Sequence, residues 1–322
     1  MSLKKVGVLT SGGDAPGMNA AIRSFTRYAV TQGITVLGIN RGYVGLRTAD
    51  MYEMNLRTVS DILHRGGTIL YSSRDHEFET EEGTQSALKT YTDHELDALV
   101  IIGGNGSLKG VKALKDKGAK CIFIPATIDN DISYTDYSIG FDTAMNTALE
   151  MIDKIRDTTR SHEKCSVVEV MGRKCGDLAL NIGIGVGATS ILVPEITYDF
   201  EKDIINRIKY TQNIGKRHFI IVIAEGCEKS LEISRKIEEK TGITTRCTIL
   251  GHVQRGGSPT VRDRVIASGM GYYAAQLLLE GNFNRAIALA CDKIIDYDID
   301  STLKIKKKFD LKLYKEALNI SI

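Results

Sequence analysis

Residues Val100 to Gly110 read VIIGGNGSLKG. An uninterrupted apolar run ends in Gly103-Gly104-Asn105-Gly106, and a segment of helical period, Ser107 to Asp116, follows. A buried strand feeding a glycine-broken loop and then a helix is how a chain presents backbone N–H groups to phosphate. Glycine is costly unless backbone must bend or be approached closely, so three in four residues argue for more than a turn. The stretch contains no acid, which raises the question of what would hold the magnesium that accompanies a nucleotide.

The same alternation runs outward in both directions. Short β-branched runs (VGVLT, TVLGI, DALVIIGG, CIFIPA, SVVEVM, SILVPE, HFIIVIAEG, TTRCTILGH) are separated by helix-like segments such as Met18 to Val30. Near-continuous apolar strands with helices between them imply parallel sheets covered on both faces, an α/β fold. The clearest helix starts at Phe141 and runs to about Thr159, with Phe141, Ala144, Met145, Ala148, Leu149, Ile152 and Ile155 on one stripe. It opens a second series of β-α units, which places a domain boundary near residue 140. A helix from about Val261 to Leu279 and a strand from Ala286 to Ala290 return to the first sheet, making the domains discontinuous.

The totals agree with two domains. The chain has 322 residues, 43% of them hydrophobic, enough for two sizeable cores. Its 42 basic and 40 acidic residues leave a net charge of +2, which disfavours a nucleic-acid partner. Six cysteines form no C-x-x-C pair and read as reduced core residues of a cytoplasmic protein. The opening apolar run, Val6 to Thr10, is too short for a signal sequence or a membrane span. The basic tail KIKKKFDLKLYKEALNI reads as a solvated face without assigned function.

In open parallel sheets ligands bind beyond the carboxyl ends of strands, so chemistry is expected in the loops that follow them. The first strand ends in TSGGDAPGMNAAIR, another glycine turn before a helix, which matches neither the Walker A pattern nor the dinucleotide G-x-G-x-x-G fingerprint. Two such loops suggest one shared polyphosphate. CIFIPATIDNDISYTD sets Asp129 and Asp131 two residues apart directly after a strand, so that one carboxylate can take a proton from a hydroxyl while the other orients a ligand or a metal ion. An Asx-rich turn is the plainer alternative. Lys164, Arg173, Arg246, His252 and Arg255 are expected at or just past strand ends, where guanidinium groups would grip a phosphorylated substrate. Glu225, closing HFIIVIAEG, is the acid expected to bind sugar hydroxyls. Arg23 and Arg27 share one helix face, either a second anion site or a salt-bridged surface.

Taken together, TSGGDAPGMNAAIR, RGGT, IIGGNGSLKG, PATIDND, GFDTA, VVEVMGRKCGDLAL and LGHVQRGGSPTVRDR resemble the bacterial ATP-dependent 6-phosphofructokinase family in order and spacing, to about residue 290. The resemblance implies a phosphofructokinase-like fold of two three-layer α/β domains with mainly parallel sheets. Residues 1–140 plus about 254–303 would bind ATP, and 141–253 plus about 304–322 would bind fructose 6-phosphate. It implies a glycolytic, cytoplasmic homotetramer that moves the γ-phosphoryl of ATP to the 1-hydroxyl of fructose 6-phosphate, with Mg2+. By that resemblance Asp129 is the general base, and Arg74, Arg173, Thr127 and Gly13 complete the catalytic set. Gly13, Tyr43, Arg74, Asp75, Gly104, Asn105, Gly106 and Ser107 would line the nucleotide. Thr127, Asp129, Asp131, Met171, Gly172, Arg173, Glu225, His252 and Arg255 would hold the sugar phosphate, with Lys164 and Arg246 arriving from a neighbouring subunit. An effector site for ADP or phosphoenolpyruvate is implied at Arg23, Arg27, Arg156, Gly215 and Lys216.

Several positions depart from the family pattern. Asn105 stands where the family loop has an aspartate that helps bind magnesium, so the metal set becomes Asp129 and a neutral Asn105, with weaker binding expected. Ala126 replaces a glycine, Lys164 an arginine, Thr189 an effector-site glutamate and Ile214 a lysine. Pyrophosphate-using relatives carry an acid at the position of Gly106 and a lysine at that of Ala126; their absence favours ATP. A binding homologue that has lost catalysis through Asn105, a pyrophosphate-dependent enzyme and, remotely, a nucleotide-dependent dehydrogenase are the rival readings.

Overall fold

The computed structural model describes residues 3–227 and 229–321, which divide into two compact units. The first comprises Met1–Ile128, Ile132–Thr143 and Arg255–Lys307, and the second Asp129–Asp131, Ala144–Gln254 and Lys308–Ile322. The strands are β1 Lys5–Ser11, β2 Thr35–Ile39, β3 Met51–Met54, β4 Ala98–Gly103, β5 Cys121–Pro125, β6 Cys165–Val170, β7 Ser190–Leu192, β8 Phe219–Ala224, β9 Thr245–Ile249, β10 Arg285–Ala290 and β11 Lys293–Asp298. The helices are α1 Met18–Thr31, α2 Tyr43–Thr48, α3 Glu81–Asp93, α4 Asn105–Asp116, α5 Phe141–Ser161, α6 Asp177–Gly185, α7 Asn206–Asn213, α8 Ser230–Thr241, α9 Val261–Leu279, α10 Ile299–Thr302 and α11 Leu311–Ile320.

The first unit is built on a seven-stranded sheet of order β11-β10-β5-β4-β1-β2-β3. β4 is buried along its whole length because both sheet faces are covered. Its odd-numbered residues, with Leu9, Ile39, Cys121 and Phe123, pack against Ala87 of α3 and against Leu108, Val111 and Leu114 of α4. The opposite face is formed by Val6, Val8, Val36, Val100, Ile122 and Ile124, all fully buried. On that side α1 touches β2, α9 touches β5, and α1 packs on α9. The two helices approach so closely that a Cβ on Gly271 would lie 2.3 Å from the carbonyl oxygen of Ala21.

The second unit holds a four-stranded, fully parallel sheet of order β7-β8-β6-β9. Cys165, Val167, Phe219, Ile221 and Ile223 meet Ile208 of α7 and Ile233 and Ile237 of α8 in its core.

The sheets are mainly parallel, as expected, and some details differ. The first sheet is parallel in its interior, but β3 and β11 run antiparallel at its edges. The β10–β11 connection is two residues, Cys291 at φ 49° and Asp292 at φ 59°, the paired left-handed turn that closes a hairpin. Helix α4 starts at Asn105 instead of Ser107, because Gly104 is extended as its N-cap. Cys121, Cys165 and Cys175 are buried as expected of core cysteines, whereas Cys291 is exposed. Among the described residues no helix is long and apolar enough to cross a membrane.

Candidate active site

In the first unit the carboxyl ends of β1, β4 and β5 converge. Gly103 has no room for a side chain: a Cβ there would stand 2.5 Å from the carbonyl oxygen of Ser11 and 2.4 Å from Ser107 Oγ. The β1 and β4 loops therefore touch backbone to backbone, and Ser107 Oγ seals the contact by donating to the Ser11 carbonyl at 2.9 Å. Gly104 caps α4 without any side-chain cap hydrogen bond, which leaves the first-turn N–H groups of α4 directed at an incoming anion. Thr127, just past β5, lies beside Gly104, with Cβ 3.7 Å from where a Cβ of residue 104 would sit.

Two of the nucleotide-side residues, Tyr43 and Asp75, hold backbone groups in place. Tyr43 is buried, stacks on Phe78 with ring centroids 4.0 Å apart, and donates its hydroxyl to the Ser107 carbonyl at 2.6 Å. Burial pushes its phenol well above the ordinary value, so the hydroxyl remains a donor. Asp75 is spent on Arg47 Nε at 3.1 Å and on the N–H groups of Glu77 and Phe78. Arg74 beside it is exposed. Arg255 belongs to this unit too: its Nη1 donates to the Asp14 carbonyl at 3.2 Å, and a Cβ on Gly13 would fall 2.8 Å from the same nitrogen. Gly13 thus leaves space that the Arg255 guanidinium uses, and Arg255, expected on the sugar side, stands at the first glycine loop.

In the second unit Asp129 is fully buried, and its Oδ2 lies 3.2 Å from Arg173 Nε. Next to it Asn130 adopts a left-handed φ of 50°, with Nδ2 donating to Asp177 Oδ2 at 3.2 Å. The loop after β6 is bent in the same sense, Gly172 at φ 134° and Arg173 at φ 53°. Glu225, just past β8, holds it: Oε1 accepts the N–H of Gly172 at 3.2 Å and of Arg173 at 2.6 Å. The N–H of Met171 goes to Gln254 Oε1 at 2.9 Å. Glu195 Oε1 takes the N–H of Gly176 at 2.8 Å, just ahead of α6. Arg173 is thereby presented toward Asp129 by a loop whose Met171, Gly172 and Arg173 N–H groups are held by Gln254 and Glu225. Asp131 is partly buried beside this pair and His252 is exposed. Asp177, Glu195 and Gln254 were missed from the sequence, although the first lies in MGRKCGDLAL and the last in GHVQRGG, because no periodicity marks a loop tie.

Lys164 and Arg246 are not where strand-end sorting put them. Lys164 precedes β6, and Arg246 pairs with Ser166 near the start of β9. Both stand at the amino edge of this sheet. Met171 follows the far end of β6, seven residues on from Lys164, a span of about 23 Å at about 3.3 Å per residue.

The effector candidates also separate. Arg23 and Arg27 lie on α1 of the first unit, and Arg156, Gly215 and Lys216 in the second. Lys216 lines a cavity of about 290 Å³ with Gln212, Gly215, Phe219 and the ion pair of Arg217 with Glu163. Burial lowers its ammonium pKa, and the neighbouring cations Arg156 and Arg207 add to the effect. His218 is lowered by burial and then by Arg156, Lys216 and Arg160. Such a concentration of positive charge favours an anion. Thr189 is fully buried and Ile214 exposed, so neither supplies a metal ligand there.

No group of three or more His, Cys, Asp or Glu side chains able to hold a metal occurs among the described residues. Magnesium keeps several waters and is bound by substrate phosphates plus one or two carboxylates, and the buried Asp129 carboxylate is an oxygen donor of the kind it takes.

A glycine-cradled loop at strand ends and a buried carboxylate engaged by an arginine are parts that belong to an α/β phosphotransferase. The phosphofructokinase family model matches residues 5–278, and the chain belongs to that family. It is 53% identical over 320 residues to the ATP-dependent 6-phosphofructokinase of Clostridioides difficile, covering 99% of this chain and 100% of that one. Phosphofructokinase from Saccharomyces cerevisiae superposes with a TM-score of 0.87 at 32% identity over 99% of this chain, which spans 48% of the yeast chain. A pyrophosphate-dependent phosphofructokinase from Marinobacter aquaeolei shares the fold, with a TM-score of 0.85 at 20% identity over 99% of this chain and 92% of that one.

Proposed function

We propose that this protein phosphorylates fructose 6-phosphate at its 1-hydroxyl with ATP, giving fructose 1,6-bisphosphate and ADP. The observation that carries the reading is Asp129, fully buried at a strand's carboxyl end with Arg173 Nε 3.2 Å from its Oδ2. Asp129 accepts the proton of the sugar hydroxyl as that oxygen bonds to the γ-phosphorus, and the bond from phosphorus to the ADP oxygen breaks. Arg173 and Arg74 neutralise charge that grows on the phosphoryl oxygens, which lowers the barrier most when the cations are positioned beforehand. The N–H groups from Gly104 to Ser107 hold the polyphosphate, while Thr127 and Gly13 offer close backbone approach. Asp131, Met171, Gly172, Glu225 and His252 orient the sugar phosphate.

Magnesium, held by Asp129, Asn105 and the ATP phosphates, would supply charge neutralisation. Asn105 offers a carbonyl oxygen without charge, so binding of the ion is weak and its concentration limits the rate. ATP is favoured over pyrophosphate because Gly106 carries neither bulk nor charge, with nothing within 4 Å of a Cβ built there.

Lys164 and Arg246 stand at the amino edge of the sheet that carries Met171 at its other end, so they serve a second copy of the chain in a homotetramer. Arg156, Gly215 and Lys216 in the second unit would supply one half of an anion site for ADP or phosphoenolpyruvate, and Arg23 and Arg27 the half offered by a neighbouring copy. The cytoplasm is the expected location. Mixing the protein with fructose 6-phosphate and ATP across a magnesium titration tests the reading. The bisphosphate should appear with ATP and not with pyrophosphate; no product at any magnesium concentration refutes it.

A further inference from the structure

Gln254 is fully buried in the short turn Gly251–Arg255, between two residues assigned to phosphate, and has itself no role in the reaction described above. Its Oε1 takes the N–H of Met171 at 2.9 Å. A backbone N–H needs an oxygen acceptor, which fixes the orientation of the amide. Its Nε2 finds no hydrogen-bond partner among the described residues, so the oxygen is the end that the fold uses.

Met171 opens the bend that turns through Gly172 at φ 134° and Arg173 at φ 53°. For a residue with a Cβ the left-handed region is disfavoured, and such a conformation persists only where the surroundings over-determine it. Glu225 pins the second and third N–H groups of the bend, and Gln254 pins the first. Without Gln254 the bend loses the tie at its entrance. Arg173, then held by Glu225 alone, would relax more readily toward right-handed backbone, drawing its side chain away from Asp129.

We infer that Gln254 is a positioning residue for the sugar-phosphate side of the reaction: it sets the Met171-Gly172-Arg173 bend, and through it the guanidinium of Arg173, without touching substrate. The inference rests on the phosphofructokinase reading for its kinetic consequence and on the hydrogen bond alone for its structural one.

The test uses the full chain with Gln254→Leu, which removes the acceptor at similar volume, and Gln254→Glu, which keeps an oxygen for the Met171 N–H. Hydrogen exchange at the Met171 amide and separate KM values for fructose 6-phosphate and ATP are measured. Gln254→Leu should speed exchange at Met171 and raise the sugar-phosphate KM about tenfold, the worth of one buried hydrogen bond, with the ATP KM within about twofold. Gln254→Glu should restore most of the protection and most of the sugar-phosphate affinity. Unchanged Met171 exchange in Gln254→Leu, or an equal rise in both KM values, overturns the inference. Should Gln254→Leu not fold, loss of Met171 protection in Gln254→Glu overturns it equally. A wild-type protein without activity would sink the phosphofructokinase reading, while Met171 exchange still decides whether Gln254 holds the bend.

Discussion

Asp263, in the first turn of α9, is fully buried, and its carboxylate ties down the start of α5. Oδ1 accepts from the Tyr137 hydroxyl at 2.6 Å and the Gly140 N–H at 2.7 Å. Oδ2 accepts from the Thr143 N–H at 2.8 Å and from the Thr143 hydroxyl. Asp263→Asn keeps the first oxygen and turns the second into an NH2 group that faces two donors. Losing two hydrogen bonds costs about 1 kcal/mol each, and leaving the Thr143 N–H buried without an acceptor adds about 1–3 kcal/mol. An offset comes from charge. Burial raises the Asp263 pKa above its ordinary 3.8 even though the Thr143, Tyr137 and Gly140 donors pull it down. An asparagine carries no such burden. The net loss at neutral pH should be about 2 kcal/mol, a shift of about 1 M in the urea midpoint if the slope is about 2 kcal/mol per M.

The pH dependence carries a sign. With the folded pKa raised, the unfolded chain gives up its proton first as pH climbs. The contribution of Asp263 is therefore complete below 3.8 and is lost as pH rises toward the folded value. The asparagine variant lacks this titration. The stability gap between wild type and Asp263→Asn should then be wider at pH 4 than at pH 7, measured by urea unfolding followed by circular dichroism. A gap below about 0.5 kcal/mol at both pH values, or one that narrows in acid, would refute the reasoning.

Asn105→Asp should lower the magnesium concentration that gives half-maximal rate several-fold, since a carboxylate replaces a neutral carbonyl at the mouth of α4; an unchanged magnesium curve counts against Asn105 as a ligand. Chains carrying Asp129→Asn or Lys164→Met should each be inactive, yet refolding them together should recover part of the activity if Lys164 serves a neighbouring copy; no recovery places Lys164 outside a shared site. Tyr43→Phe removes the hydroxyl that holds the Ser107 carbonyl at 2.6 Å, and should raise the ATP KM about fivefold to tenfold while leaving the sugar-phosphate KM alone. Phosphoenolpyruvate or ADP should raise the melting temperature of the wild type by a few degrees and have no effect on Lys216→Met; an equal shift in both variants rules out the Lys216 cavity.

The sequence by itself determined the α/β class and the order of strands β1, β2, β4 to β10, and it picked out the loops proposed to carry chemistry. Those features are local: a six-residue β-branched run such as ALVIIG, closed by glycines, reads as a strand covered on both faces, and glycine clusters mark where backbone must turn tightly. Phe141 announced α5 because its apolar stripe repeats with helical period. The functional family was legible for a related reason, since substrate chemistry restricts residue type at strand ends.

Tertiary structure alone decided direction and attachment. The antiparallel β11 follows from two left-handed residues, Cys291 and Asp292, that carry none of the usual asparagine–glycine signal. Lys164 and Arg246 were grouped with strand-end cations, yet they lie at the amino edge, because β6 and β9 begin beside them instead of ending there. The roles of Gln254, Asp177 and Glu195 rest on hydrogen bonds to residues far along the chain, between 19 and 83 positions away. Pattern along a sequence records what repeats with a helix or strand, and a single long-range tie repeats with nothing.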